Sequence, residues 1–384
     1  MMLHAGVGPV SCGAVSPRTT RQATKLQRYA VGAAQHENPA GHLSQSFSRR
    51  CGQAASRPAL CHAADTQQPA VDSRSSGRMS YRPASFSVIV EDAVQCVADG
   101  IKNGLTRMEV EFPPVPVRLD GYKGASDVFI DANVQLALAG ARKLAAAGRR
   151  VHVVMPDQGE YDRTYKMFKD AITNLGAGVS LGHLKEEGGV GFSFQGIFAG
   201  YGPESKAQGL AADTYLIINA TCVELLNVRQ YVNSMAAKDP AKVFVLWNME
   251  LDTLRGDLGL PAFPPKEVHY AFLSAFRPVY FLRTRDYSKS VNVAPFIVNY
   301  SGALFREYPG PWQIMLKQDN GEYACIAEDR TRYNLGELKE ELQAAMGLNT
   351  EEEGSALQFL RRGAKFSTWF EDDYEQEQSH EWRL

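Results

Sequence analysis

Short, nearly uninterrupted apolar runs, spaced a helix-length apart, constrain this chain most. Thr214 to Asn219 and Lys242 to Trp247 read as buried strands, because apolar side chains fill almost every position. Arg149 to Pro156 carries Val151, Val153, Val154 and Met155. Thr106 to Phe112 alternates Met108, Val110 and Phe112 with Arg107, Glu109 and Glu111. A strand covered on both faces shows the first pattern, and one with a wet face shows the second. Helical periods separate the runs: Val88 to Lys102, with Ser85 or Ser87 as cap and Asn103-Gly104 as stop; Asp127 to Ala147, closed at Gly148; Tyr161 to Leu175, ending at Gly176; and Cys222 to Ala237. Parallel neighbours require crossovers of this length. The expected fold class is α/β, three-layer and sandwich-like, with a mainly parallel or mixed central sheet and helices on both faces.

The later third reads differently. A short helix spans Glu267 to Phe276. Strand-like pieces then follow at Val279 to Leu282, Val291 to Val298, Ala303 to Arg306, Gln313 to Lys317 and Tyr323 to Glu328. Gln318-Asp319-Asn320-Gly321 is a turn, so Trp312 to Glu328 predicts a hairpin and an antiparallel part of the sheet. Asn334 is placed to cap a helix through Met346. Gly178 to Leu181 and Gly191 to Phe198 are two further short strand candidates.

Charge divides the chain. Met1 to Ser80 holds nine Arg or Lys and three acids, a net of +6; the whole chain is −2, so the remainder carries −8. An Ala-, Ser- and Arg-rich, acid-poor leader has the composition of an organelle transit peptide. The expected organisation is a plastid transit peptide over 1–62 and a disordered linker over 63–80. A single α/β domain spans 81–346, and a charged tail over 347–384 carries a short helix near Ser355 to Arg362. The expected location is the chloroplast, in the stroma or on the stromal face of the thylakoid. No run reaches the length of a membrane helix, so membrane contact would be peripheral. An acidic body argues against nucleic acid as a partner.

Three of the best strands end in a polar residue: Met155-Pro156-Asp157, Ile218-Asn219 and Trp247-Asn248. The carboxyl ends of parallel strands line the ligand crevice of an open α/β sheet, so Asp157, Asn219 and Asn248 are the residues an enzyme would use. The competing reading is that Asp and Asn there cap turns or the next helix. The Gly188-Gly189-Val190-Gly191 loop fails as a dinucleotide site because a strand-like segment, not a helix, follows it. No nucleophile elbow, zinc motif or CxxC pair occurs. Cys96 and Cys222 read as small buried hydrophobes, and no cofactor or metal is expected.

Late aromatics are the candidates for a partner surface: Tyr308 and Trp312 in the domain, Trp369 and Phe370 in the tail. Core packing is the alternative for each. The chain resembles an uncharacterised family of plants, algae and cyanobacteria, a domain of unknown function whose members include a chloroplast factor for photosystem II accumulation. The resemblance rests on the order of Ala93-Val94, Met108-Glu109-Val110-Glu111-Phe112-Pro113-Pro114, Val153-Val154-Met155-Pro156-Asp157, Leu216-Ile217-Ile218-Asn219-Ala220 and Arg306-Glu307-Tyr308-Pro309-Gly310-Pro311-Trp312. Many relatives have Asn-Pro where this chain has Asn219-Ala220. The resemblance implies a plastid auxiliary protein that binds a protein partner, such as a photosystem II subunit or assembly intermediate. The alternative is a plastid α/β enzyme acting on a small ligand at the strand ends.

Overall fold

A computed structural model describes residues 76–115, 126–184, 211–249, 251, 266–348 and 374–384. The leader and most of the linker, the Gly188 loop, the strand candidate at Gly191 to Phe198, the tail helix near Ser355, and Trp369 and Phe370 lie outside the described residues. In chain order the elements are β1 (Ser80–Tyr81), α1 (Phe86–Lys102), β2 (Arg107–Glu111), α2 (Ser126–Ala146), β3 (Val151–Met155), α3 (Gln158–Met167), α4 (Lys169–Thr173), β4 (Val179–His183), β5 (Thr214–Ile218), α5 (Leu225–Lys238), β6 (Val243–Trp247), α6 (Glu267–Ala271), β7 (Arg277–Ser290), β8 (Ile297–Glu307), β9 (Trp312–Lys317), β10 (Tyr323–Asp329) and α7 (Leu335–Ala345). Single 3-10 turns lie at Leu273–Ala275, Tyr374–Gln376 and Glu381–Arg383.

One ten-stranded mixed sheet runs in the order β1-β10-β9-β8-β7-β2-β6-β5-β3-β4. The pairs from β7 through β2, β6, β5 and β3 to β4 are parallel, and those from β7 through β8, β9 and β10 to β1 are antiparallel. The α/β expectation holds, and β7 is the hinge between the halves.

Alternation along the strands sorts the core into two faces. Val151, Val153, Met155, Leu216, Ile218, Val245 and Trp247 join α1 and α2 in one cluster. Val154, Tyr215, Ile217, Phe244 and Leu246 point the other way, under α5, α6 and the Leu273–Ala275 turn. Phe281, Leu304, Trp312 and Ile314 lie under α7 on that same second face. Gly140 of α2 is a close-approach position, since a Cβ there would sit 3.0 Å from the Trp247 ring.

Two expectations need correction. The helix expected over Tyr161 to Leu175 breaks at Phe168 into α3 and α4. The strand expected over Val291 to Val298 is mostly a hairpin turn: β7 and β8 are far longer than expected, and Val291–Phe296 connects them. Asn334 caps α7 as expected, with a reciprocal capping box to Glu337. Within the charged tail, residues 374–384 pack on the domain. Trp382 is buried, and Glu377 accepts from His269 and Arg383.

Candidate functional site

The strands β2, β6, β5 and β3 are neighbours and parallel, so Glu111, Trp247, Ile218 and Met155 end on one edge. Asp157, Asn219 and Asn248 follow three of them. Asp157 is extended and caps α3, its Oδ1 accepting from the Glu160 amide at 3.0 Å. That bond satisfies an orphan amide of the first helical turn, which is the capping alternative realised.

The two asparagines do something else. Both have left-handed backbone, φ 56° at Asn219 and 46° at Asn248. Asn tolerates this region better than other side chains, so each can turn the chain directly off a buried strand. Their amides meet a third residue, the fully buried Asn133 of α2. Asn133 Nδ2 donates to Asn219 Oδ1 at 2.7 Å, and Asn248 Nδ2 donates to Asn133 Oδ1 at 2.9 Å. Asn248 Oδ1 accepts from the Phe112 amide at 2.8 Å, closing the end of β2. Three strand ends and one helix are thus tied by a single amide network. An amide suits the task because it both donates and accepts.

Asn133 escaped the sequence reading. It flanks the apolar stripe formed by Val134, Ala137, Leu138 and Ala141, and a polar residue beside that buried face was the available signal. Tyr308 and Trp312 are buried core residues of this chain rather than surface presented to a partner. Among the described residues, no group of three or more His, Cys, Asp and Glu side chains is placed to hold a metal ion.

A second polar group lies toward the opposite edge, on the face under α5. Lys242 Nζ donates to the Ala212 carbonyl at 2.6 Å and to the Tyr215 hydroxyl at 2.8 Å. Burial lowers its pKa. His152 is wholly buried, with Nδ1 2.7 Å from Ser180 Oγ. Burial, reinforced by the charges of Lys242 and His183, pushes His152 down to about 4, so it is neutral at neutral pH. A cleft lined by Arg150, Val151, Gly178, Ser180 and Ala212 opens nearby, with a volume of about 90 Å³. Ordinary ligand pockets are several times larger.

A third feature projects from the sheet. β2 stops pairing with β7 at Phe281, and β9 stops pairing with β8 at Gly302. The rungs Asp286↔Ser301 to Ser290↔Ile297 therefore form a two-stranded arm with no sheet neighbour among the described strands. Its root is braced by stacked Tyr287 and Tyr300, by Gln343 of α7 on the Tyr300 hydroxyl, and by Lys289 on the Leu348 carbonyl. Its tip exposes Val293 (74%), Phe296 (62%) and Ile297 (57%).

No curated protein matches the chain. Among solved structures, the flagellar accessory protein FlaH from Methanocaldococcus jannaschii is similar at 10% identity. The match covers 61% of this chain and 92% of that one with a TM-score of 0.24, a likeness too slight to carry an argument. The family comparison reaches further, for the model of the domain of unknown function DUF1995 matches residues 83–340, from just before α1 into α7. The chain belongs to that family.

Proposed function

We propose that the protein is a non-enzymatic plastid auxiliary factor. It supports assembly or accumulation of a photosynthetic complex, photosystem II first, by binding another protein. The observation that carries this reading is the β7–β8 arm. From Ser290 to Asn299 no side chain is charged, and three large apolar residues stand in water at the tip. Exposed apolar clusters on a rigid support mark docking surfaces. Phe296 is also held at φ 64°, a costly conformation for an aromatic residue.

The occupant is an apolar pocket on a protein. The remainder of the chain carries −8, which disfavours approach to an anionic bilayer, while an uncharged tip is unaffected by a partner's charge. The leader composition and the family resemblance supply the plastid context. The carboxyl edge offers less to the enzyme alternative, because Asp157 is engaged as a helix cap and the asparagines are bonded to one another.

The test is affinity purification from thylakoid-containing extract with wild type and a Val293→Ser/Phe296→Ser/Ile297→Ser variant of equal thermal stability. The expected result is recovery of a photosystem II assembly intermediate by wild type and its loss in the variant. Equal recovery by both defeats the arm, and flotation of wild type with neutral or anionic vesicles replaces the protein partner with a membrane.

A further inference from the structure

Buried hydrogen-bond donors without acceptors gather in one corner of the second face, at the amino end of β7. Arg306 is 5% exposed, yet among the described residues its Nε and Nη1 meet no acceptor. The same holds for Arg277 Nε and for the indole Nε1 of Trp312. These are donors only, on three residues that the register brings together. Arg306 pairs across the ladder with both Phe281 and Trp312, and Arg277 starts β7 four residues before Phe281.

The local charge is lopsided. The Arg306 guanidinium lies 5.3 Å from the Trp312 ring and 5.8 Å from that of Tyr308, aromatic faces that offset part of its desolvation. Arg332 stacks over the same Trp312 ring at 5.7 Å. Arg277 is engaged by Glu381 at 2.6 Å, and Glu377 is taken by His269 and Arg383. Burial first, and then the charge of Arg277, lowers the pKa of Arg306 to about 9. Isolated buried cations and unpaired buried donors are both costly, and native interiors almost always supply the partner.

We propose that this corner is an oxyanion site, in which Arg306, Arg277 and the Trp312 N–H hold the oxygens of a phosphate or carboxylate group beneath the Glu381–Arg383 turn. An oxyanion supplies acceptors and negative charge together, which is what four unpaired donors and a surplus of arginine require. Guanidinium groups are well matched to both anions. The site is independent of the arm: it lies at the opposite end of β7, and none of its residues contributes to the tip.

The experiment is thermal unfolding of the full chain in chloride, inorganic phosphate, sulfate or acetate at matched ionic strength. A saturable rise of about 3–5 °C in one or more of the oxyanions over chloride is expected for a folded-state ligand near 100 times its Kd. Which oxyanion acts best separates phosphate chemistry from carboxylate. Arg306→Met should abolish the rise. If that variant does not fold, Trp312→Phe, which keeps the ring and removes the donor, should weaken the apparent affinity several-fold. No rise in any oxyanion, or the same rise in the variants, overturns the proposal.

Discussion

Two regions of the sheet, the ends of β2, β5 and β6 and the rungs where β7 meets β8 and β9, handle buried polar groups in opposite ways. At the carboxyl edge, Asn133, Asn219 and Asn248 spend their amides on one another and on the Phe112 amide. Where the first residues of β7 meet β8 and β9, Arg306, Arg277 and Trp312 present donors that meet no acceptor among the described residues. Closure makes the first group architectural, since it fixes where three strands stop. Incompleteness makes the second a candidate for recognition. Polarity and burial alone do not separate a structural network from a binding site; the count of unmet donors and acceptors does.

Substitution should separate the two regions by sign. Asn133→Leu removes a partner from both Asn219 Oδ1 and Asn248 Nδ2, and each orphan costs about 1–3 kcal/mol. A loss of roughly 2–5 kcal/mol in urea unfolding is therefore expected. Arg306→Met in chloride should cost nothing, or stabilise by about 1 kcal/mol, because an apolar residue replaces an uncompensated buried cation. If both variants lose several kcal/mol, the two regions do not differ as argued.

The pH response sharpens the contrast next. His152 titrates at about 4 in the folded chain and near 6.5 when unfolded. The unfolded chain therefore binds the extra proton first. The stability from keeping His152 neutral is complete above about pH 6.5 and drains as pH falls toward 4. The fall from 6.5 to about 4 corresponds to roughly 3 kcal/mol. Denaturant unfolding at pH 7 and pH 4 should show this loss, and His152→Leu should flatten it. An unchanged slope in that variant would assign the loss to other groups.

How much of this was legible follows from what each residue does to its neighbours. The parallel half is readable because burial on both faces forces apolar runs, as in Thr214–Ile218 and Val243–Trp247. The strand-end positions of Asn219 and Asn248 were readable for the same reason, but their shared partner Asn133 lies 86 and 115 residues away. The arm was misread because Val291, Val293, Phe296 and Ile297 have strand composition. An exposed apolar tip and a buried strand look alike in sequence, and only the register of β7 on β8 separates them. Arg306 gave no warning, since nothing in a sequence marks an arginine that points inward.

Close packing supplies a further, smaller effect on the architectural side. Gly140→Val should cost about 1–3 kcal/mol, because its first carbon alone would already press on Trp247 beneath the Asn133 network. Calorimetry of the variant measures this directly, and a neutral result would show that α2 can lift from the sheet without disturbing the strand ends.

The smallest expected effect tests whether strain marks architecture or presentation. Among the described residues, three other than glycine have left-handed backbone: Asn219, Asn248 and Phe296. Glycine relieves such strain, by about 1 kcal/mol for a residue with a Cβ. At Asn219 or Asn248 the relief is outweighed by the loss of an amide that the network needs. At Phe296 the side chain is 62% exposed, so little is lost on truncation. Phe296→Gly should therefore leave stability unchanged or raise it by up to about 1 kcal/mol, less whatever entropy glycine returns to the unfolded chain, while partner recovery falls. Asn248→Gly should lose stability. A clear destabilisation by Phe296→Gly would mean that Phe296 supports the fold rather than standing ready for a partner.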